Sequence, residues 1–350
     1  MNLRDRRLRV LLVLPVLAIA FALIIWRGPD WKPVHDALAA MSWEWVIVAI
    51  LFNLLSVFAR SLAWDMAIKQ SMPPPHPRYP LVFSAFCVGL FGNAVLPGRV
   101  GELARVAVLR RHLPGRSGST PRLVGSVFAH RMFDVFPMIA LVIWVLLFAR
   151  IPRWAYLSIE VALGIGVLLF LIGLALARMH QSSAVEGMGR LRLLWDRARQ
   201  GLGVMRKPLA AATAGAFQLL GWTLQLLAVW STMYAFHLHL PIVAAGLVLV
   251  LMNVATIFPL WPGNVGLTQA AIALPLVRYG VDYAHGFAFG IGLQLIEASV
   301  GIGIGTIFLA REGLSYAMLK QFESPASEPA EDIPIEEVER PERARAGVSG

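Results

Sequence analysis

The sequence predicts an all-α polytopic membrane protein with about six transmembrane helices plus two re-entrant broken helical hairpins, arranged as an inverted repeat. Three observations predict it. Of 350 residues, 57% are hydrophobic and only 15% are Asp, Glu, Lys or Arg, where soluble domains carry about 25% charge. Six apolar runs are long enough to cross a hydrocarbon core about 30 Å thick. Two Pro-Gly-x-Val-Gly motifs, 165 residues apart, interrupt two further apolar segments. The composition excludes a disordered or nucleic-acid-wrapping chain despite a formal net charge of +10, and it argues against a soluble enzyme. The single Cys87 excludes an internal disulfide and a cysteine-built metal site.

Residues 1–42 read as an N-terminal anchor helix and an outer loop. The apolar run 8–26 follows four arginines and continues to Trp26, too long for a cleaved signal segment, so it is expected to be retained. Residues 43–177 form a first repeat: a span at 43–64, a hairpin at 80–112, a span at 123–149, and an extra span at 154–177. The hairpin is predicted because 80–97 stops at Pro97-Gly98-Arg99-Val100-Gly101. Proline lacks an N–H and glycine tolerates positive φ, so the pair ends a helix. Residues 178–208 form a basic linker whose apolar positions recur at steps of three and four, fit to lie on an anionic leaflet. A second repeat at 209–310 holds spans at 209–236 and 284–310 around a hairpin at 241–279, broken at Pro262-Gly263-Asn264-Val265-Gly266. Within it, Gly286 and Gly290, then Gly301 and Gly305, mark close helix packing. Residues 311–350, polar and rich in Pro and Glu, form a disordered acidic tail.

Charge sets the topology. The intervals 1–9, 65–78, 99–122 and 178–207 carry net charges of +3, +1, +5 and +5, and 27–44, 150–153 and 278–282 carry −1, +2 and 0. Only a re-entrant 80–112 puts all four basic intervals on the cytoplasmic side. The same rule makes 241–279 dip in from outside and leaves both termini cytoplasmic, in the plasma (inner) membrane. Inverted repeats with broken helices are the plan of many secondary transporters, whose site lies at midplane where the breaks meet.

The run Asn93-Ala94-Val95-Leu96-Pro97-Gly98-Arg99-Val100-Gly101-Glu102, with Arg105 following, resembles the signature of the lysylphosphatidylglycerol synthase transmembrane, or flippase-like, family. His130-Arg131-Met132-Phe133-Asp134 is similar to that family's Glu-Arg-x-x-Asp, and the second Pro-Gly motif to its second such element. Two departures are His130, where the family usually has Glu, and Gln269, where a Glu commonly follows the second glycine motif. The resemblance, over roughly 40–310, implies movement of an amphipathic lipid or lipid-linked intermediate between leaflets. The soluble aminoacyltransferase domain of the bifunctional synthases is not expected, so neither is aminoacyl transfer by this chain alone.

Arg60, Arg131, Asp134 and Glu297 fall inside predicted spans. An isolated charge at the bilayer centre costs on the order of 3 kcal/mol, so these must pair or face water. Their helical spacing gives polar faces: Asn53, Ser56 and Arg60; His130, Arg131 and Asp134; Gln218, Trp222 and Gln225; Gln294 and Glu297. The expected translocation groove comprises Arg60, Asn93, Pro97, Gly98, Arg99, Gly101, Glu102, Arg105, His130, Arg131, Asp134, Gln225, Pro262, Gly263, Asn264, Gly266, Gln269 and Glu297. Its arginines would hold a phosphate through forked donors, with Arg99 at the turn tip, and its acids would balance them or meet a cationic headgroup. Arg131–Asp134 and Glu102–Arg105 are equally spaced as structural ion pairs, and Arg60 could instead snorkel to the interface.

The expected partners are membrane lipids, anionic or carrying a lipid-linked phosphate, with a homo-oligomer or a lipid-synthesis enzyme compatible. No nucleic acid, catalytic residue, cofactor or metal is expected. Two alternatives stay open: a membrane-embedded lipid-modifying transferase, and an accessory membrane subunit of a lipid or hopanoid biosynthesis pathway.

Overall fold

In a computed structural model, the structure describes residues 30–96, 101–113, 119–152, parts of 156–171, 207–256 and 264–313. Within them every regular element is helical: α1 (Trp31–Ala39), α2 (Trp43–Ser71), α3 (Tyr79–Val95), α4 (Gly101–Arg111), α5 (Ser119–Phe148), α6 (Pro208–Ala235), α7 (Ile242–Ala255), α8 (Leu267–Leu276) and α9 (Tyr283–Arg311). Four of them, α2, α5, α6 and α9, are long and apolar enough to cross a membrane, and they coincide with four of the six expected runs. The run 8–26, the linker and the acidic tail lie outside the described residues, and 154–177 is described only in part.

Apolar side chains point outward. On α2 the exposed stripe is Trp43, Ile47, Leu51, Leu55 and Phe58, while Asn53, Ser56 and Trp64 are buried. A helix in lipid has no reason to hide leucine, and every reason to hide asparagine. The helix also runs past the expected stop at 64, because Lys69 bonds Asp65 one turn earlier (2.6 Å) and Ala67 and Ile68 are fully buried. The expected outer loop contains a helix, α1, started by Asp30, whose carboxylate accepts from the Lys32 N–H (3.4 Å).

The start of α2 meets the end of α6, where the Ser42 N–H donates to the Ala235 carbonyl (2.8 Å). Midway along, Ser56 Oγ donates to Gly221 O (2.7 Å) and an Arg60 guanidinium N–H donates to Gln225 Oε1 (2.5 Å). Both pairs are separated by 165 residues, the spacing of the two Pro-Gly motifs. Gly221 is needed there: a Cβ would come within 2.6 Å of Arg60 Cγ.

The C-terminal end of α9 touches both arms of the α3–α4 unit. Glu312 accepts from Ser84 Oγ near the start of α3 (2.5 Å) and faces His112 Nε2, just past the end of α4 (3.5 Å). The C-terminal end of α5 likewise touches both arms of the α7–α8 unit. Gly246 of α7 lies against Trp144 and Val145, and Tyr279, after α8, accepts from the Arg150 N–H (2.9 Å). Glycines let α9 approach both units. A Cβ on Gly286 or Gly290 would lie 3.1 Å from the α8 backbone, and one on Gly305 would lie 2.5 Å from Phe91 Cβ of α3. Apolar clusters form on either side, one around Trp64, Phe86 and Leu109, the other around Met233, Phe236 and Phe289.

Candidate functional site

Polar groups line a cavity of about 350 Å³ whose walls come from α2, α3, α4, α5, α6 and α9. Of the residues expected in the groove, Arg60, Asn93, Gly101, Glu102, Arg105, His130, Arg131, Gln225 and Glu297 line it, joined by Asn53, Ser56 and Gln294. At 1.5 Å per residue, Arg131 sits about 18 Å along α5 and Glu297 about 21 Å along α9, near the middle of helices of 30 and 29 residues. The motif segments Pro97, Gly98, Arg99 and Pro262, Gly263 lie outside the described residues.

One chain of bonds runs around the cavity. Glu102 pairs with Arg105, one turn on, and with Arg131 of α5. Arg131 also bonds Asp134 (3.1 Å), which accepts from Gln218 Nε2 and Trp222 Nε1 (2.9 Å) of α6. The two expected ion pairs are therefore present and are fused by Arg131. Trp222 turns its ring face to the Arg60 guanidinium, 5.2 Å away, a cation–π contact. Arg60 reaches Gln225, whose Nε2 donates to Glu297 Oε1 (3.2 Å). Arg60 thus turns into the bundle and does not snorkel. Arg105 is 3% exposed and lies over the rings of Trp64 (4.6 Å) and Phe86 (5.7 Å).

The charges around the groove are balanced, not simply cationic: Arg60, Arg105, Arg131, Glu102 and Glu297 line it, and Asp134, which does not, is bonded to Arg131. Among the described residues, four of the groove's buried polar atoms find no partner: Arg60 Nε, Asn93 Oδ1, Arg105 Nε and His130 Nδ1. His130 Nε2 meets the Arg60 carbonyl (3.1 Å). Buried polar atoms without protein partners imply water or a ligand in the space they face.

The second Pro-Gly element plays a different part. Asn264 has φ 43° and Gly266 φ 91°, left-handed conformations that explain both residue types. Asn264 Nδ2 donates to the Ala255 carbonyl at the end of α7 (2.7 Å), and Gln269 Oε1 accepts from the Gly266 N–H at the start of α8 (2.6 Å). Gln269 Nε2 also bonds Gln294. Asn264, Gly266 and Gln269 hold the break together, next to the cavity wall and not on it. Gln218, Trp222 and Gln294 were visible in the sequence only as members of polar faces; their partners depend on how α6 and α9 cross α5 and α8.

Compared with known proteins, residues 8–305 match the family model described as the lysylphosphatidylglycerol synthase TM region. A UPF0104 membrane protein of Methanocaldococcus jannaschii is 26% identical over 215 residues, covering 59% of this chain and 88% of the relative. No solved structure matches.

Proposed function

The chain belongs to the family of the lysylphosphatidylglycerol synthase TM region, and on that premise we propose that it moves an amphipathic lipid or lipid-linked intermediate between leaflets. The headgroup passes through the arginine-bearing cavity while the tails stay in the bilayer. The observation that carries this reading is a cavity lined by charged and amide side chains near the middle of the long helices, with unpartnered polar atoms among the described residues, inside a bundle whose outer surface is apolar. At about 350 Å³ it lies at the small end of ligand pockets, room for a headgroup but not for a diacyl lipid. Arg131, with 43% of its side chain exposed, stands at the mouth. From the sequence, Arg99 of the first Pro-Gly motif is the further residue we propose to meet the phosphate.

The layout we infer is six spans with two re-entrant hairpins, 80–112 in a first repeat over 43–177 and 241–279 in a second over 209–310, of opposite orientation. It is supported by α3 and α4 both meeting the end of α9, by α7 and α8 both meeting the end of α5, and by the paired contacts 165 residues apart. By their positions at the helix ends, Lys69, Arg78, Arg110, Arg111, Arg122, Lys207 and Arg311 fall to the end where α2 stops in this layout, and Lys32, Arg150 and Arg278 to the other. The first end is therefore cytoplasmic, in the plasma membrane, with both termini on that side.

The test is lipid movement in proteoliposomes containing the full chain and headgroup-labelled phospholipids, zwitterionic and anionic. Wild type accelerates exchange between leaflets; Arg131→Ala and Arg99→Ala do not, the latter with unchanged thermal stability. Normal movement by Arg99→Ala would remove that residue from the site, and absence of movement of both lipid classes by wild type would remove the proposal.

A further inference from the structure

Two charges in the cavity, Arg60 and Glu297, make no direct ion pair among the described residues. Arg105 and Arg131 share Glu102, and Asp134 completes Arg131. Among the described residues, the Arg60 guanidinium meets a neutral amide and an aromatic face, and Glu297 bonds the other end of the same amide, that of Gln225. One side chain thus spaces a guanidinium and a carboxylate a few ångströms apart on one wall.

The unpartnered atoms sort in the same way. The donors without an acceptor are Arg60 Nε and Arg105 Nε. Among the described residues, the acceptor without a donor is Asn93 Oδ1, and the Glu297 carboxylate, which also lines the cavity, is engaged through Oε1 by the Gln225 amide. Two free N–H groups on guanidinium suit phosphate oxygens. A carboxylate oxygen beside an amide oxygen suits an ammonium group, which has three donors and no acceptor.

Resting on the translocation reading, we propose that the site selects a zwitterionic glycerophospholipid headgroup, one phosphate and one primary ammonium separated by a short linker, over an anionic one. The phosphate sits on Arg60 and Arg105; the ammonium sits between Glu297 and Asn93. Bound in this way, Arg60 and Glu297 each gain a direct ionic partner and the cavity stays neutral, the cheapest state inside a membrane-spanning bundle. An anionic headgroup leaves Glu297 unpaired. A headgroup with two ammonium groups leaves the second without a free carboxylate, since Glu102 and Asp134 already meet arginine.

The experiment measures binding and movement separately. Short-chain phosphatidylethanolamine, its N-acetyl derivative, phosphatidylglycerol and a doubly aminated phospholipid are titrated onto the full chain in maltoside micelles, and the same headgroups are followed in proteoliposomes. The amine lipid should bind about tenfold tighter than its N-acetyl derivative, with the other two also weaker. In Glu297→Gln the ratio of the two affinities should fall to within about twofold, and Glu297→Asp should restore part of it. Equal binding of amine and N-acetyl lipids by wild type overturns the inference, whatever the variants do. Equal movement of both overturns it too, while leaving translocation intact. Selective binding without movement upholds the inference and overturns translocation.

Discussion

Two glycines on the same helix, two residues apart, separate packing from propensity. Gly303 faces outward, and a Cβ there would meet nothing within 4 Å. Gly305 faces α3, where a Cβ would lie 2.5 Å from Phe91 Cβ and 3.0 Å from the Cys87 carbonyl oxygen. Alanine at either site gains helix propensity of about 0.8–1 kcal/mol. At Gly303 that is the whole effect, so Gly303→Ala should be neutral to slightly stabilising. At Gly305 the methyl group meets backbone and a Cβ, neither of which can rotate away, so α9 and α3 must separate. Overpacking of this kind costs about 1–3 kcal/mol, leaving Gly305→Ala destabilised by up to about 2 kcal/mol and less stable than Gly303→Ala by about 1–3 kcal/mol. Thermal unfolding in detergent, followed by loss of the monodisperse elution peak, reads the difference. A Gly305→Ala protein as stable as Gly303→Ala would refute the close approach of α3 to α9 and, with it, the placement of the cavity wall.

Other outcomes follow from single contacts. Trp222→Phe keeps a ring beneath Arg60 but removes the N–H to Asp134, and should cost about 0.6–2 kcal/mol; Trp222→Ala should cost more, losing the cation–π contact as well. Unfolding midpoints that rank Phe with Ala would locate the loss in the hydrogen bond alone. Glu312→Ala removes the side chain that touches both arms of the α3–α4 unit, and should speed amide exchange at residues 108–113 while leaving α8 unchanged. Equal protection of 108–113 in both proteins would show that Glu312 does not hold that unit.

Much of the frame is legible from periodicity and from residues that break it. Long apolar runs announce α2, α5, α6 and α9, because a span must be apolar for its whole length. Proline and glycine announce the interruptions, because each removes an option the helix needs. The polar faces could be drawn from spacing, and the pair Arg60 and Gln225 even shares the 165-residue offset of the motifs. What spacing does not carry is the partner of each polar group. That Arg131 reaches back to Glu102, and that Asp134 gathers Gln218 and Trp222, depends on crossing angles set by small residues such as Gly221. The short helix α1 was hidden for another reason. Its nine residues are too few for an apolar period to stand out, and the Asp30 cap was the one local signal.

The most direct measurement of a wet cavity at mid-bilayer compares two neighbouring positions on α9 in a Cys87→Ala background. Ala298 lines the cavity, and Leu295, less than one turn away, is 61% exposed on the apolar surface. In protein reconstituted into bilayers, Ala298→Cys should react with a charged, membrane-impermeant thiol reagent and be protected by bound lipid headgroup, while Leu295→Cys stays unmodified. Rapid modification of Leu295→Cys together with an inert Ala298→Cys would contradict the account.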